Sequence, residues 1–202
     1  MSSSVSPRSW AGVGLAERQE IRRTELLRVG VELLGAPDGP AVNVRAVCKA
    51  AGLTERYFYE SFPDRDQFVL AVYEHVAEQA RDVLVDAVAS ATSPADLAES
   101  AVRAFVELIV DHPAIGRVLL IAPMADTALA ERGKQHAPGF GLLIEAQLSE
   151  IDDPEERQMT AVGLVGALVT LHVAYLDGGI KVDREKFVQH CVRLLVTANR
   201  RR

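Results

Sequence analysis

The stretch from Asn43 to Phe68, NVRAVCKAAGLTERYFYESFPDRDQF, sets cations, hydroxyls and aromatic rings on two short helical segments joined by a three-residue turn. A first segment is predicted from Val44 to Ala50, a turn at Ala51, Gly52 and Leu53, and a second helix from Thr54. Asn43 stands where an N-cap is needed, since its side-chain oxygen can take a free N–H of the first turn. Small Cys48 lies four positions before Gly52. Two helices that cross steeply need a small side chain at the contact and Gly where the turn demands positive φ. Val44, Val47, Leu53 and Phe58 would form the small core that fixes the crossing. Thr54, Glu55, Arg56, Tyr57 and Tyr59 then remain exposed, a polar and aromatic set suited to the edges of bases in a major groove.

A second set of polar groups lies among apolar residues: His112, Arg117, His172 and Tyr175. The region around them is rich in Leu, Val, Ile and Ala, so isolated polar groups could orient a small apolar or amphipathic molecule inside a cavity. For His172 a satisfied core histidine is the competing reading. The five histidines have no metal-binding spacing, His190 beside Cys191 aside, so neither a metal nor another cofactor is expected. No nucleophile elbow, phosphate-cradling Gly loop, HExxH or paired catalytic carboxylates occur, which argues against an enzyme. Phe58 and Phe62 read as core. Arg22, Arg23 and Arg28 read as a solvated face balanced by Glu25 and Glu32, and Cys48 reads as a small core residue.

The elements that must position these groups are helical. Apolar residues recur at helical spacing almost everywhere and no strand-length alternation is present, so the fold class is all-α with about nine helices. The first helix is predicted over about 16–36, with Leu26, Leu27, Gly30, Leu33 and Leu34 on one stripe, and Pro37 to Pro40 as its stop. A long helix follows from Asp64, its cap, to about Ala89. Others are predicted over about 94–111, 113–120, 125–150, 154–176 and 183–200. The run Ala161–Leu176 is uncharged and apolar on every side, so two neighbours must cover it. Its sixteen residues are fewer than the roughly 20 of a membrane span. One cover is expected to be a second copy of the chain, approaching Gly163, Gly166, Ala167, Thr170 and Ala174. The last helix would add its own seam of Phe187, Cys191, Leu194, Leu195 and Ala198.

Composition agrees with a globular protein of this kind: 202 residues, 49% apolar and 25% charged. Its two cysteines imply no disulfide framework and fit a reducing cytoplasm. The formal net charge is -6. Residues 1–66 contain nine cations and nine anions, so the acidity belongs to the rest of the chain. The expected organisation is a disordered arm over 1–15 with no export signal, a helix-turn-helix domain over 16–66, and an effector-binding and dimerisation domain over 67–202.

The segment around the turn resembles the TetR family signature: a capping residue, an apolar-Arg pair, a small residue, Ala-Gly-apolar, a short helix with Tyr, then Phe-Pro and a basic residue. Those elements are Asn43, Val44 and Arg45, then Cys48, Ala51, Gly52 and Leu53, then Tyr59, Phe62, Pro63 and Arg65. The match covers about residues 18–68. The resemblance implies a homodimeric regulator, in most cases a repressor, that binds double-stranded operator DNA and releases it when a small effector binds. The implied DNA-contacting set is Asn43, Arg45, Thr54, Arg56, Tyr57, Tyr59 and Arg65, with Tyr59 and Arg65 on phosphates and Arg45, Thr54, Arg56 and Tyr57 near base edges or backbone. Tyr57 stands where Thr or Ser is common, and Ser61 where His or Tyr is common. A helical interaction module with a vestigial helix-turn-helix is the alternative.

Overall fold

The structure, a computed structural model, describes residues 14–37 and 42–199. The described residues form nine helices: α1 (Leu15–Leu34), α2 (Val44–Ala51), α3 (Glu55–Ser61), α4 (Arg65–Ser90), α5 (Pro94–Asp111), α6 (Pro113–Ala125), α7 (Thr127–Glu145), α8 (Pro154–Leu176) and α9 (Arg184–Ala198). The helix starts are written in side chains. Asn43 accepts from the Ala46 N–H, Asp64 from Gln67, Ser93 from Asp96 and Asp183 from Lys186, each satisfying an orphan donor of the first turn. Leu15, expected to end the N-terminal arm, is the first residue of α1. The rest of that arm, and the stop residues Asp38, Gly39 and Pro40, lie outside the described residues.

Two helices differ from their sequence expectation. α6 runs on to Ala125 because its middle widens into a π-helical turn over Arg117–Ile121. Pro123 cannot donate to a carbonyl four residues back, and the widened turn lies where that ladder fails. Asp126 then caps α7, accepting from Ala128 and Leu129, and the two helix axes meet at 117°. α7 stops at Glu145, five residues early, as the chain tightens to bury Leu148 against Ala161 and Leu164 of α8.

One continuous apolar core runs from Leu26, Val47 and Phe58 through Phe68, Val72 and Val76 of α4 to Ile109, Val118 and Leu129. α4 therefore belongs to both halves of the molecule: its first turns close the small helices and its body packs on α5 and α7. The 66/67 division expected from sequence falls inside α4. Two glycines set the closest approaches. A Cβ at Gly30 would come within 2.6 Å of the Phe68 ring, and one at Gly35 within 2.6 Å of the Ala114 Cα in α6.

α8 has 23 residues and is, by length and composition, long and apolar enough to cross a membrane, contrary to the count made on its uncharged run alone. In the structure it packs on α6, α7 and α9. Along it Met159, Val162 and Val169 remain exposed, with Leu142 of α7 also exposed. α9 corrects the expected seam: Phe187 and Cys191 are buried within the chain against Val102 and Val106 of α5, so they face no partner. Leu194, Leu195 and Ala198 pack beside Leu148 and Leu164.

Candidate nucleic-acid interface and ligand cavity

The turn between α2 and α3 is built as the spacing requires. Gly52 adopts φ 64°, ψ 27°, a left-handed conformation that glycine takes without steric penalty. The Leu53 N–H returns to the Cys48 carbonyl at 2.9 Å, closing α2. Val47 and Phe58 are fully buried beneath the turn, with Val44 and Leu53 packed around them. Phe58, Phe62 and Phe68 meet with centroids 5.0–5.6 Å apart, which fixes α3 against α4.

Of the seven residues expected at DNA, six are exposed: Asn43, Arg45, Thr54, Arg56, Tyr59 and Arg65. Tyr57 is half-buried, and the Arg22 guanidinium lies 4.4 Å from its ring centre. Asn43 uses its side-chain oxygen on its own helix. The Arg56 side chain projects but pairs with Glu60 at 3.2 Å. Arg65 donates to the Val42 carbonyl at 2.9 Å and pairs with Asp66 at 2.8 Å, so it also ties the start of α4 to the segment that leads into α2. Tyr59 stands 54% exposed, its ring edge-on to Phe58. Lys49, overlooked in the sequence, is exposed in the last turn of α2. It lies four residues after Arg45, a spacing that puts both cations on one face.

Arg22 and Arg23 are not a solvated face. Arg22 reaches Glu60 at 3.5 Å, while Arg23 lies 4.5 Å from the Phe62 ring centre and donates to the Ser61 carbonyl at 3.2 Å. Both bind α1 to α3. Arg28 pairs with Glu25 in the solvent-exposed manner expected.

The second site is a cavity of about 680 Å³. Its walls come from α4 to α9, including Tyr73, Phe105, Leu119, Phe140, Leu168 and His172. That volume and lining are those of a small-molecule site: mostly apolar, with few polar groups. Lys134, Glu150 and Asn199 are polar members of its lining. The structure does not gather the four expected ligand residues. His112 joins α5 to α6 and, with Arg117, lines a separate surface hollow beside α1. Tyr175 stacks on Phe187 at 4.2 Å and lies outside the cavity lining. Only His172 is placed at the cavity. Phe105 and Phe140 were overlooked because aromatics at helical spacing read equally well as core.

His172 is 2% exposed, and no other acidic, basic or amide side chain among the described residues is buried. Its Nδ1 lies 2.6 Å from the Leu168 carbonyl, and its ring stands edge-on to Phe105 and Phe187 at centroid distances of 5.0 and 5.1 Å. Burial pushes its pKa below the ordinary histidine value, against the smaller upward pull of the Leu168 carbonyl. Burial likewise raises the Cys191 thiol to about 11, so it stays protonated and unreactive. Among the described residues no group of three or more His, Cys, Asp or Glu could hold a metal.

No family model matches the chain, and neither does any curated protein. Solved structures do. A TetR transcriptional regulator from Rhodococcus sp. RHA1 is 21% identical, with a TM-score of 0.64 over 90% of this chain and 97% of that one. A TetR family transcription regulator from Marinobacter aquaeolei VT8 is 17% identical, with a TM-score of 0.67 over 91% and 98% of the two chains. The fatty acid degradation regulator FadR from Bacillus halodurans is 17% identical, with a TM-score of 0.71 over 86% and 94%. Over nearly its whole length, the chain has the fold of the TetR-family transcriptional regulators.

Proposed function

We propose that this protein is a TetR-family transcriptional regulator that binds operator DNA as a homodimer and is released from it by a small apolar or amphipathic effector. The observation that carries the reading is the α2–α3 unit, with its left-handed Gly52 turn and a projecting set of Arg45, Lys49, Arg56 and Tyr59. This is the arrangement with which a short helix enters a major groove while flanking cations hold phosphates. The fold shared with solved transcriptional regulators supports it.

The apolar cavity supports the second half of the reading. It lies against α4, the helix whose N-terminus bears Arg65 and closes the helix-turn-helix, so a ligand that shifts α4 changes the pose of α3. A neighbour of similar fold named for fatty acid degradation favours apolar effectors as a class. The exposed apolar residues of α8 supply the dimer contact, with a two-fold arrangement as the commonest solution.

Selection of bound duplexes from a random pool tests the function directly. An enriched palindrome, with half-sites separated by one helical turn of about 34–36 Å or a multiple of it, is the expected result. Arg65→Ala should weaken binding to all sequences alike and lower the salt slope by about one counterion per site. Recovery of no enriched sequence would overturn the proposal and favour the interaction-module reading.

A further inference from the structure

His172 is a wall residue of the cavity, and it is chemically unfinished. A carbonyl oxygen can only accept, so the 2.6 Å contact with Leu168 requires Nδ1 to carry the proton and donate it. Burial keeps the ring neutral, which leaves Nε2 as a bare lone pair. That atom is buried, and no group of the protein hydrogen-bonds to it. Two aromatic rings flank the imidazole and hold it edge-on, so it cannot swing out to seek a partner without displacing Phe105 or Phe187.

Buried polar atoms are paired almost without exception, and an acceptor left alone costs free energy that a donor restores. The donors that line the cavity, Tyr73, Lys134, Gln147 and Asn199, make no hydrogen bond to Nε2, and the ring contacts of His172 are with Phe105 and Phe187. We infer that the effector is an uncharged molecule with an apolar body and one hydrogen-bond donor, a hydroxyl or N–H, which it delivers to His172 Nε2. A pure hydrocarbon leaves the lone pair unmet, and an ether or ketone sets acceptor against acceptor. A carboxylate has no proton to give and must also shed its hydration in an apolar wall. The inference rests on the cavity being the effector site and adds the functional group that the effector must carry.

The probe pair N-phenyl-1-naphthylamine and its N-methyl derivative tests this with the full chain. Both are uncharged and apolar, both fluoresce more strongly in dry surroundings, and only the first has an N–H. The expected result is that the N–H probe binds about tenfold more tightly to the unaltered protein, the difference made by one satisfied buried acceptor. In His172→Phe both probes should still bind, and the gap should close to within about twofold, as a double-mutant cycle requires. His172→Met serves as the second variant if the Phe protein does not fold. Equal binding of the two probes to the unaltered protein would overturn the donor inference and leave the cavity reading standing. A gap that survives in the variants would overturn the assignment to His172. Binding of neither probe would overturn both the inference and the effector cavity on which it rests.

Discussion

The Arg22 guanidinium lies 4.4 Å from the centre of the Tyr57 ring and reaches Glu60 at 3.5 Å, while Glu60 also pairs with Arg56 at 3.2 Å. A residue of α1 thus holds the helix that carries the base-reading candidates, and Tyr57 is spent partly on α1 instead of pointing wholly outward. A planar cation over a ring is worth about 0.5–1 kcal/mol at such a site, and the half-buried Arg22–Glu60 pair, long at 3.5 Å and shared with Arg56, adds no more than a similar amount.

Arg22→Ala should therefore weaken binding to a selected duplex by about fivefold without unfolding the protein. Arg22→Lys keeps the charge for Glu60 but loses the flat stack, so it should fall between the two. A band-shift titration of the three proteins measures this. Equal affinities would show that Arg22 does not set the pose of α3.

Gly30→Ala tests how tightly α1 and α4 are closed. The added methyl would meet the Phe68 ring at 2.6 Å, inside a core where Phe68 is fully buried. Overpacking of this kind costs about 1–3 kcal/mol. The urea midpoint should fall with an unchanged slope, at fixed protein concentration because a dimer's stability depends on it.

Val162→Glu addresses the dimer. Val162 is 65% exposed on α8, so in an isolated chain a charge there would be nearly silent. In a dimer closed through α8 it buries an unpaired carboxylate. Sedimentation at micromolar concentration should show monomers for the variant and dimers for the parent. A dimer of unchanged affinity would place the interface elsewhere.

Acid should destabilise the protein in two separable steps. His172 has its folded pKa below the ordinary 6.5, so its contribution is complete above that value and is lost as the pH falls below it, when the unfolded chain takes the proton that the buried ring resists. Lys134 and Glu150 are the other charged residues lining the same cavity. Glu185 is held down at about 2 by Arg103, so its contribution is present above 4.5 and lost between there and 2. Urea midpoints at about pH 7.5 and 5.5 isolate the first step. The unaltered protein should lose stability across that interval, and His172→Phe should lose less.

The fold class and the α2–α3 turn were legible in the sequence because both rest on local rules. Helical spacing marked the elements, Asn43 and Asp64 announced their own caps, and a small residue before Gly52 announced the turn. Long-range partners were not legible. Arg22 and Arg23 look like any solvated charged pair until α3 folds onto them, 38 residues away for Arg23 and Ser61. His112, Arg117 and Tyr175 share with His172 an apolar neighbourhood in sequence, yet helix rotation sends them to different faces. The π-helical turn in α6 shifts the helical phase downstream of it, which no count at 3.6 residues per turn anticipates.

At Gly35 the end of α1 rests against the main chain of α6 at Ala114, with no side chain between them. Side chains absorb small displacements by changing rotamer, whereas a peptide backbone in contact with another has almost no such give. The junction is therefore a stiff bearing. A shift at the start of α6, the helix whose later turns form part of the cavity wall, is passed to α1 undiminished or else parts the two chains. Arg22 and Arg23 tie the same helix to α3, so α1 stands between the start of α6 and the helix-turn-helix while it also packs on α4 at Gly30.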